Sequence, residues 1–170
     1  MKEILIITAD KCDDSELLYP LYRIIEAGMT PVIASFAKGE IKSKYHFKAE
    51  AEIAVSDIYV SDYDGLILPG GLAPEKLRQN EYVTECVRKF NRDKKPVAAI
   101  CHGQQILISA GVLDGKNATC YPGIKDDIIN SGAIYEDKCV VVCENLVTSR
   151  HPEDLPHFMR EFLNLVNNKN

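Results

Sequence analysis

Short apolar runs alternate with segments of helical periodicity along this chain, and the alternation restricts the folds open to it. Strands are predicted at residues 4–8, 31–36, 65–68, 97–100, 117–121 and 139–147. Helices are predicted at residues 15–27, 82–92, 103–110 and 154–167, with an excursion of minor strands at 38–61. Such alternation forms a mainly parallel sheet with right-handed crossovers and helices on both faces. We therefore predict an α/β fold.

Length and charge narrow the class of protein further. A chain of 170 residues fits one domain, and no repeat, low-complexity tract or linker divides it, so we expect a single domain over residues 1–170. The net charge of -5, with cations scattered along the chain, argues against nucleic acid as a partner. The first apolar run is too short for a signal peptide or a membrane span. We expect a cytoplasmic protein without a membrane partner.

The six cysteines do not form a recognisable disulfide or zinc framework. No CxxC pair occurs, and the four histidines fall singly, so no metal site is predicted. Cys139 and Cys143 lie on one predicted strand, where four residues span about 13 Å, too far for one disulfide. We expect both to be core residues.

Three polar or glycine-rich segments follow predicted strands. They are residues 10–16 after the first strand, 69–71 after a middle strand and 101–103 after the next. Parallel sheets bind ligands beyond the carboxyl ends of their strands. The three segments therefore predict one shared site.

Cys101 stands in a sequence typical of a nucleophile elbow. Ala99 and Gly103 are small residues, two positions to either side of it, that permit a tight turn from strand into helix. A cysteine there is strained and lies at a helix N-terminus, which favours the reactive thiolate. The alternative is a cysteine that merely ends a buried strand.

Two other segments offer groups that would assist such a nucleophile. The backbone N–H groups of the Gly70-Gly71 turn and of His102 would form an oxyanion hole, although an ordinary Pro-Gly turn explains the same residues. Glu16 begins the first helix near the same sheet edge. Beside Cys101 it would need a pKa raised by burial, whereas a first-turn charge favoured by the helix dipole is the simpler alternative.

Five segments together resemble the ThiJ/PfpI superfamily, in its intracellular-protease-like PfpI branch. They are residues 68–71, 99–103, 109–113, 121–127 and 148–150. The resemblance implies a flavodoxin-like three-layer sandwich with Cys101 as nucleophile, Glu16 hydrogen-bonded to it and His102 as base. It also implies that Tyr121 lines the pocket and that Glu75 reaches His102 of the partner subunit, in homodimers that can assemble into hexamers.

Members of this family are described as cysteine peptidases, cofactor-independent glyoxalases, deglycases and stress proteins. A compact pocket suits a small dicarbonyl better than a folded protein, so we favour carbonyl or glycation-adduct chemistry without a cofactor. Cys101 would form a hemithioacetal, and Glu16 or His102 would move protons. The alternatives are an intracellular cysteine peptidase acting on peptides, and a redox sensor or chaperone that uses an oxidisable Cys101 without turnover.

Other residues have more than one interpretation. His151 and Glu153 resemble the histidine and glutamate of class I glutamine amidotransferase triads, but the remainder of that signature is missing. Cys12 and Cys120 are either resolving thiols for an oxidised Cys101 or core residues. A flavin or nucleotide site is not expected, because the segment after the first strand lacks glycine and is acidic.

Overall fold

The computed structural model describes residues 1–168. Its strands are β1 Glu3–Ile7, β2 Thr30–Ser35, β3 Gly39–Lys42, β4 Lys48–Ala51, β5 Ile53–Ala54, β6 Gly65–Leu68, β7 Val97–Ile100, β8 Asn117–Ala118, β9 Ile134–Tyr135, β10 Val141–Cys143 and β11 Leu146–Ser149. Its helices are α1 Asp14–Glu26, α2 Ala73–Leu77, α3 Glu81–Arg92, α4 Gln104–Ala110, α5 Lys125–Asn130 and α6 Leu155–Asn168.

The main sheet has seven strands in the order β10-β11-β7-β6-β1-β2-β5. Every neighbouring pair is parallel except β10 with β11. The central strands β1, β6 and β7 are apolar and almost wholly buried, as expected where helices cover both faces of a sheet. The predicted α/β sandwich is confirmed.

The first β–α unit follows from its sequence pattern. Asp13 caps α1 by accepting hydrogen bonds from the backbone N–H groups of Ser15 and Glu16 at 3.0 and 3.2 Å. The helix buries Leu17 and Ile24 against the sheet. A side-chain carboxylate therefore occupies this helix N-terminus.

Part of the predicted secondary structure is wrong. The segment 139–147 is not one strand: β10 begins after Cys139, the chain turns back at residues 144–145, and β11 returns antiparallel to it. Cys139 and Cys143 are half-buried rather than core residues. The segment 117–121 contributes only the two-residue strand β8, outside the main sheet. The short helices α2 and α5 were not predicted.

The hairpin formed by β3 and β4 is tied to the loop after β1. Lys11 donates its backbone N–H to the carbonyl of Lys42 at 2.7 Å, and Lys44 donates its own to the carbonyl of Cys12 at 2.8 Å. The carboxylate of Asp14 accepts hydrogen bonds from the Ser43 hydroxyl and, at 3.0 Å, from the backbone N–H of Tyr45. These bonds place the hairpin tip against the start of α1.

No helix among residues 1–168 is long and apolar enough to cross a membrane.

Candidate active site

Cys101 occupies a strained turn between β7 and α4. Its φ of 61° lies in the left-handed region that residues other than glycine rarely adopt. A Cβ at Gly103 would lie 2.2 Å from the carbonyl oxygen of Leu68, so the chain passes too close to β6 for a larger residue. The Cys101 residue is 8% exposed. The backbone thus has the geometry of a nucleophile elbow, with the thiol close to the surface.

Gln104 supports this turn from below, and the sequence analysis did not identify it. Its buried Nε2 lies 3.1 Å from the carbonyl oxygen of Ala99, 2.9 Å from that of Thr119 and 2.7 Å from that of Ser149. One amide therefore connects three backbone segments that end around the site. No local sequence pattern marks this role, because it depends on backbone segments that are distant in the sequence.

Glu16 is completely buried at the start of α1. Its Oε2 accepts a hydrogen bond from the backbone N–H of Gly70 at 2.7 Å. Burial, followed by the negative charge of Asp13, raises the pKa of Glu16 to about 8, and the contacts with Gly70 and the Cys101 thiol oppose this rise. Glu16 is therefore mostly protonated at neutral pH and can act as a donor.

The two glycines after β6 bring the site elements into contact. A Cβ at Gly70 would lie 2.5 Å from Glu16 Oε2 and 2.8 Å from the Cβ of Cys101. Gly71 has a φ of 81°, and a Cβ there would meet the loop after β1 at 2.4 Å. The glycine turn therefore lets α1 and the elbow approach each other.

The Cys101 sulfur experiences opposing influences. Burial, followed by the charge of an ionised Glu16, raises the pKa of the Cys101 thiol to about 12, and the backbone N–H groups of His102 and Gly71 oppose this rise. Because Cys101 and Glu16 interact this closely, they titrate as a pair. Protonation of Glu16 removes the charge repulsion and leaves two backbone N–H groups and a carboxyl near the sulfur.

His102 and Tyr121 lie on another side of the thiol. His102 Nδ1 is 3.2 Å from Cys101 Sγ, and its ring stacks on that of Tyr121 with centroids 4.8 Å apart. The backbone N–H of Tyr121 donates to the carbonyl of Cys101 at 3.3 Å. Burial lowers the pKa of His102, so the imidazole is neutral and able to accept a proton near neutral pH.

Comparison with known proteins identifies the family of this chain. The model of the DJ-1/PfpI family matches residues 2–165. The chain belongs to the DJ-1/PfpI family. It is 48% identical over 164 residues to Deglycase PfpI of Pyrococcus furiosus, a match that covers 96% of this chain and 99% of that one. It is 41% identical over 168 residues to General stress protein 18 of Bacillus subtilis, covering 97% and 98% of the two chains.

The fold is shared with a solved structure of the same family. A two-domain protein of Anabaena variabilis, with a DJ-1/ThiJ/PfpI-like and a ferritin-like domain, superposes with a TM-score of 0.96 at 33% identity. The match covers 98% of this chain and 48% of that longer one. The predicted family resemblance and the flavodoxin-like sandwich are confirmed.

The structure does not bring every candidate residue to Cys101. Glu75 is exposed on α2 and lines a separate cavity of about 700 Å³ with Lys11 and Phe36. His151 lies beyond β11 with its Nδ1 3.9 Å from Asp154, and Glu153 is exposed. The predicted role of Glu75 requires a second subunit and stays a prediction.

Cys12 and Cys120 are fully buried. Cys12 forms a backbone bridge with Gly71, and burial raises the pKa of both thiols, to about 11 for Cys12 and about 12 for Cys120. Both therefore have the properties of core residues, and a resolving role stays untested. No cluster of three potential metal ligands occurs within residues 1–168.

Proposed function

We propose that this protein is a cofactor-independent cysteine enzyme that acts on small reactive carbonyls or early glycation adducts. One observation carries the proposal: the strained Cys101 thiol lies among the Glu16 carboxyl, two backbone N–H groups and the His102 imidazole. A nucleophile with a donor and a base beside it suits addition to a carbonyl followed by proton transfer. The naming of a close relative as a deglycase supports the same chemistry.

The ionisation of the site is the first part of the mechanism. When the pair of Cys101 and Glu16 carries one negative charge, we place the proton on Glu16 and the charge on the sulfur. Burial disfavours both anions, and the backbone N–H of Gly70 favours the carboxylate, but the thiolate has two such donors, the N–H groups of Gly71 and His102. The carboxyl O–H adds a third donor, and the thiolate is ready to attack.

Turnover of methylglyoxal then needs only proton movements and water. The thiolate adds to the aldehyde carbon, and the oxygen that becomes negative takes a proton from Glu16 to form a hemithioacetal. His102 removes the proton from the carbon bonded to sulfur, and the adjacent carbonyl carbon receives a proton through an enediol. The product is a lactate thioester of Cys101. Water cleaves it to lactate and returns the thiol.

A glycation adduct would enter the same path one step earlier. In a hemiaminal the reactive carbon carries an amine and a hydroxyl group. Glu16 gives a proton to the amine nitrogen, His102 takes the hydroxyl proton, and the carbon–nitrogen bond breaks to release a neutral amine and the carbonyl. The carbonyl carbon is then free to bond to Cys101. The amine is regenerated and the dicarbonyl fragment leaves as lactate.

The deciding experiment follows lactate formation from methylglyoxal in the presence of a chelator and without glutathione. We expect turnover by the wild type and a loss of more than about 100-fold in Cys101→Ser. Cys143→Ser is the matched control, because it removes a half-buried thiol from β10 and should retain turnover. Absence of lactate with the wild type, or equal rates in wild type and Cys101→Ser, would overturn the proposal.

A second experiment distinguishes enzymatic removal of a glycation adduct from enzymatic consumption of free methylglyoxal. The substrate is the preformed adduct of methylglyoxal with N-acetylarginine, and its spontaneous release of methylglyoxal is measured separately. Lactate formation that exceeds this release rate indicates direct action on the adduct. If the rate of lactate formation never exceeds the rate of spontaneous methylglyoxal release, the enzyme acts only on the free dicarbonyl.

We also propose an intersubunit site in which Glu75 reaches His102 of the partner subunit. Support comes from the exposure of Glu75 on α2 and the half-buried position of His102. Mixing inactive Cys101→Ser with Glu75→Gln subunits tests it, because only mixed dimers contain one site with both native residues. Activity above that of either variant alone is expected, and no gain on mixing under conditions of subunit exchange would contradict it.

Redox protection is a second candidate function, favoured by the similarity to General stress protein 18 and by the strained backbone at Cys101. In that role one equivalent of hydrogen peroxide oxidises Cys101 to the sulfenic acid and a second equivalent oxidises it to the sulfinic acid, each transferring one oxygen to sulfur and releasing one water. Intact-mass spectra after mild peroxide should then show oxidation at Cys101 before the other five cysteines. Peptidase activity and a cytoplasmic location stay predictions.

A further inference from the structure

Lys44 lies at the tip of the β3–β4 hairpin, which the loop after β1 holds against the start of α1. Its backbone N–H donates to the carbonyl of Cys12 at 2.8 Å, and Cys12 pairs with Gly71, whose own N–H contacts the Cys101 sulfur. The Lys44 main chain is therefore linked to Gly71, a direct contact of the nucleophile, through Cys12. The hairpin therefore fixes the main chain of this lysine against the loop after β1, which itself contacts the glycine turn of the site.

The Lys44 ammonium has no carboxylate partner in the described part of the chain. Two other lysines of the same hairpin, Lys42 and Lys48, form ion pairs with Glu40 at 3.9 and 3.1 Å. Lys44 instead places Nζ 5.2 Å from the ring centroid of the exposed Tyr45. Its three N–H donors are therefore available to a ligand.

The positive charge of Lys44 acts on the buried carboxyl of Glu16. It is near enough to Glu16 to oppose, through its charge, the rise in pKa that burial and Asp13 cause. Asp13 and Asp14 are acidic neighbours, but Asp13 caps α1 and Asp14 holds the hairpin tip by hydrogen bonds. The hydrogen bonds that Asp13 and Asp14 accept partly compensate their negative charges. The positive charge of Lys44 has no such partner among the carboxylates of residues 1–168.

We propose that Lys44 is a specificity-determining residue that binds a carboxylate on substrates whose reactive carbonyl lies at Cys101. The inference deepens the proposed function by naming its substrate class: carbonyl compounds or glycation adducts that carry an acid group. An exposed ammonium exchanges water for a carboxylate at small cost, and its attraction weakens with added salt.

The test compares two reagents that differ in charge and alkylate the same atom. Iodoacetate and iodoacetamide each form a carbon–sulfur bond with the Cys101 thiolate and release iodide, and peptide mass spectrometry reports the rate at Cys101 alone. We expect Lys44→Met to lower the iodoacetate-to-iodoacetamide rate ratio about fivefold, and the ratio cancels any change in the thiolate population because both reagents share it. Lys44→Arg should retain the ratio.

Lys48→Met is the matched control, because it removes the same charge from the same hairpin at a residue paired with Glu40. Its rate ratio should equal that of the wild type. The wild-type ratio itself should fall as salt is raised, a measurement that needs no variant. A ratio that is the same in Lys44→Met and Lys48→Met, or a wild-type ratio independent of salt, would overturn the proposal.

Turnover of phenylglyoxal and of para-carboxyphenylglyoxal gives the corresponding catalytic result. Lys44→Met should lower kcat/KM for the acid about fivefold relative to that for the neutral compound. Equal losses on both compounds would indicate a merely structural role and contradict the inference. If the wild type turns over neither compound nor methylglyoxal, the proposed function fails, and the alkylation ratio still decides the role of Lys44.

Discussion

Gly70 donates its backbone N–H to Glu16 Oε2 at 2.7 Å, and this bond joins the turn after β6 to the first turn of α1. The other carboxyl oxygen, Oε1, is buried without a conventional hydrogen-bond partner among residues 1–168, and the Cys101 thiol is the remaining polar contact of the carboxyl. A protonated Glu16 carboxyl can therefore donate its O–H to the Cys101 sulfur. The pairing explains why a carboxyl is tolerated in a fully buried position.

Stability should depend on pH through Glu16. Its pKa is about 8 in the folded protein and near 4.5 in the unfolded chain, so the folded state holds the extra proton between these values. The free energy of unfolding should thus fall as pH rises from about 4.5 to about 8. Urea unfolding of wild type and Glu16→Gln across this range is the measurement. The variant should lose this component of the decline, and parallel curves for the two proteins would refute the assignment.

The charge of Asp13 should help to determine the pH at which the free energy of unfolding stops falling. Asp13→Asn keeps a side-chain oxygen to cap α1 but removes the charge that raises the pKa of Glu16. The pH at which stability stops falling should therefore shift downward. The same urea titration detects it, with Asp57→Asn, an exposed acid outside the site, as control. An unchanged end point in Asp13→Asn would show that burial alone determines the pKa.

The strained backbone at Cys101 predicts an unusual order of stability. In ordinary elements glycine is less stabilising than alanine by about 1 kcal/mol. At Cys101, with its φ of 61°, the left-handed conformation penalises alanine by about 1 kcal/mol, so Cys101→Gly should be at least as stable as Cys101→Ala. Thermal or urea unfolding of the two variants checks this. A clear advantage for alanine would argue that the turn is relaxed.

Gly103 should tolerate no side chain because of its contact with β6. Gly103→Ala places a Cβ 2.2 Å from the backbone oxygen of Leu68, which cannot move without shifting the strand, and should cost about 3 kcal/mol. Gly28→Ala is the control: its φ of 73° is strained but the space is open, so we expect about 1 kcal/mol. Similar losses in both variants, measured by urea unfolding, would show that the close contact relaxes easily.

Much of the fold was predictable because its signals are local. The apolar run of β1 and the spacing of Leu17 and Ile24 in α1 specify those elements directly. The β10–β11 hairpin was not predicted, because its two-residue turn contains Glu144 with a φ of 54° rather than the glycine or asparagine-glycine pair that usually marks such a turn. Apolar residues on both sides of the turn made the segment resemble one strand.

The residues that form the site could be predicted from the sequence, but the residues that hold or flank the site could not. Cys101, Glu16 and the two glycines each follow a strand of the sheet, and topology alone brings such segments together. Gln104 and the docked hairpin tip with Lys44 depend on long-range hydrogen bonds that no local pattern reveals. The contribution of a second subunit depends on contacts outside the single chain.

The central claim is that Cys101 forms a thiolate near neutral pH because Glu16 and two backbone N–H groups stabilise it. Ultraviolet thiolate absorbance measured across pH, as the difference between wild type and Cys101→Ser, isolates this one sulfur. The charge of an ionised Glu16 contributes to the raised pKa of the Cys101 thiol, and this repulsion is absent while Glu16 keeps its proton. We therefore predict that Cys101 ionises below the pKa of a free thiol, about 8.5, and that Glu16→Ala, which removes the carboxyl donor, shifts this ionisation upward. Ionisation of Cys101 only at alkaline pH, together with the buried thiols of Cys12 and Cys86, would contradict the account.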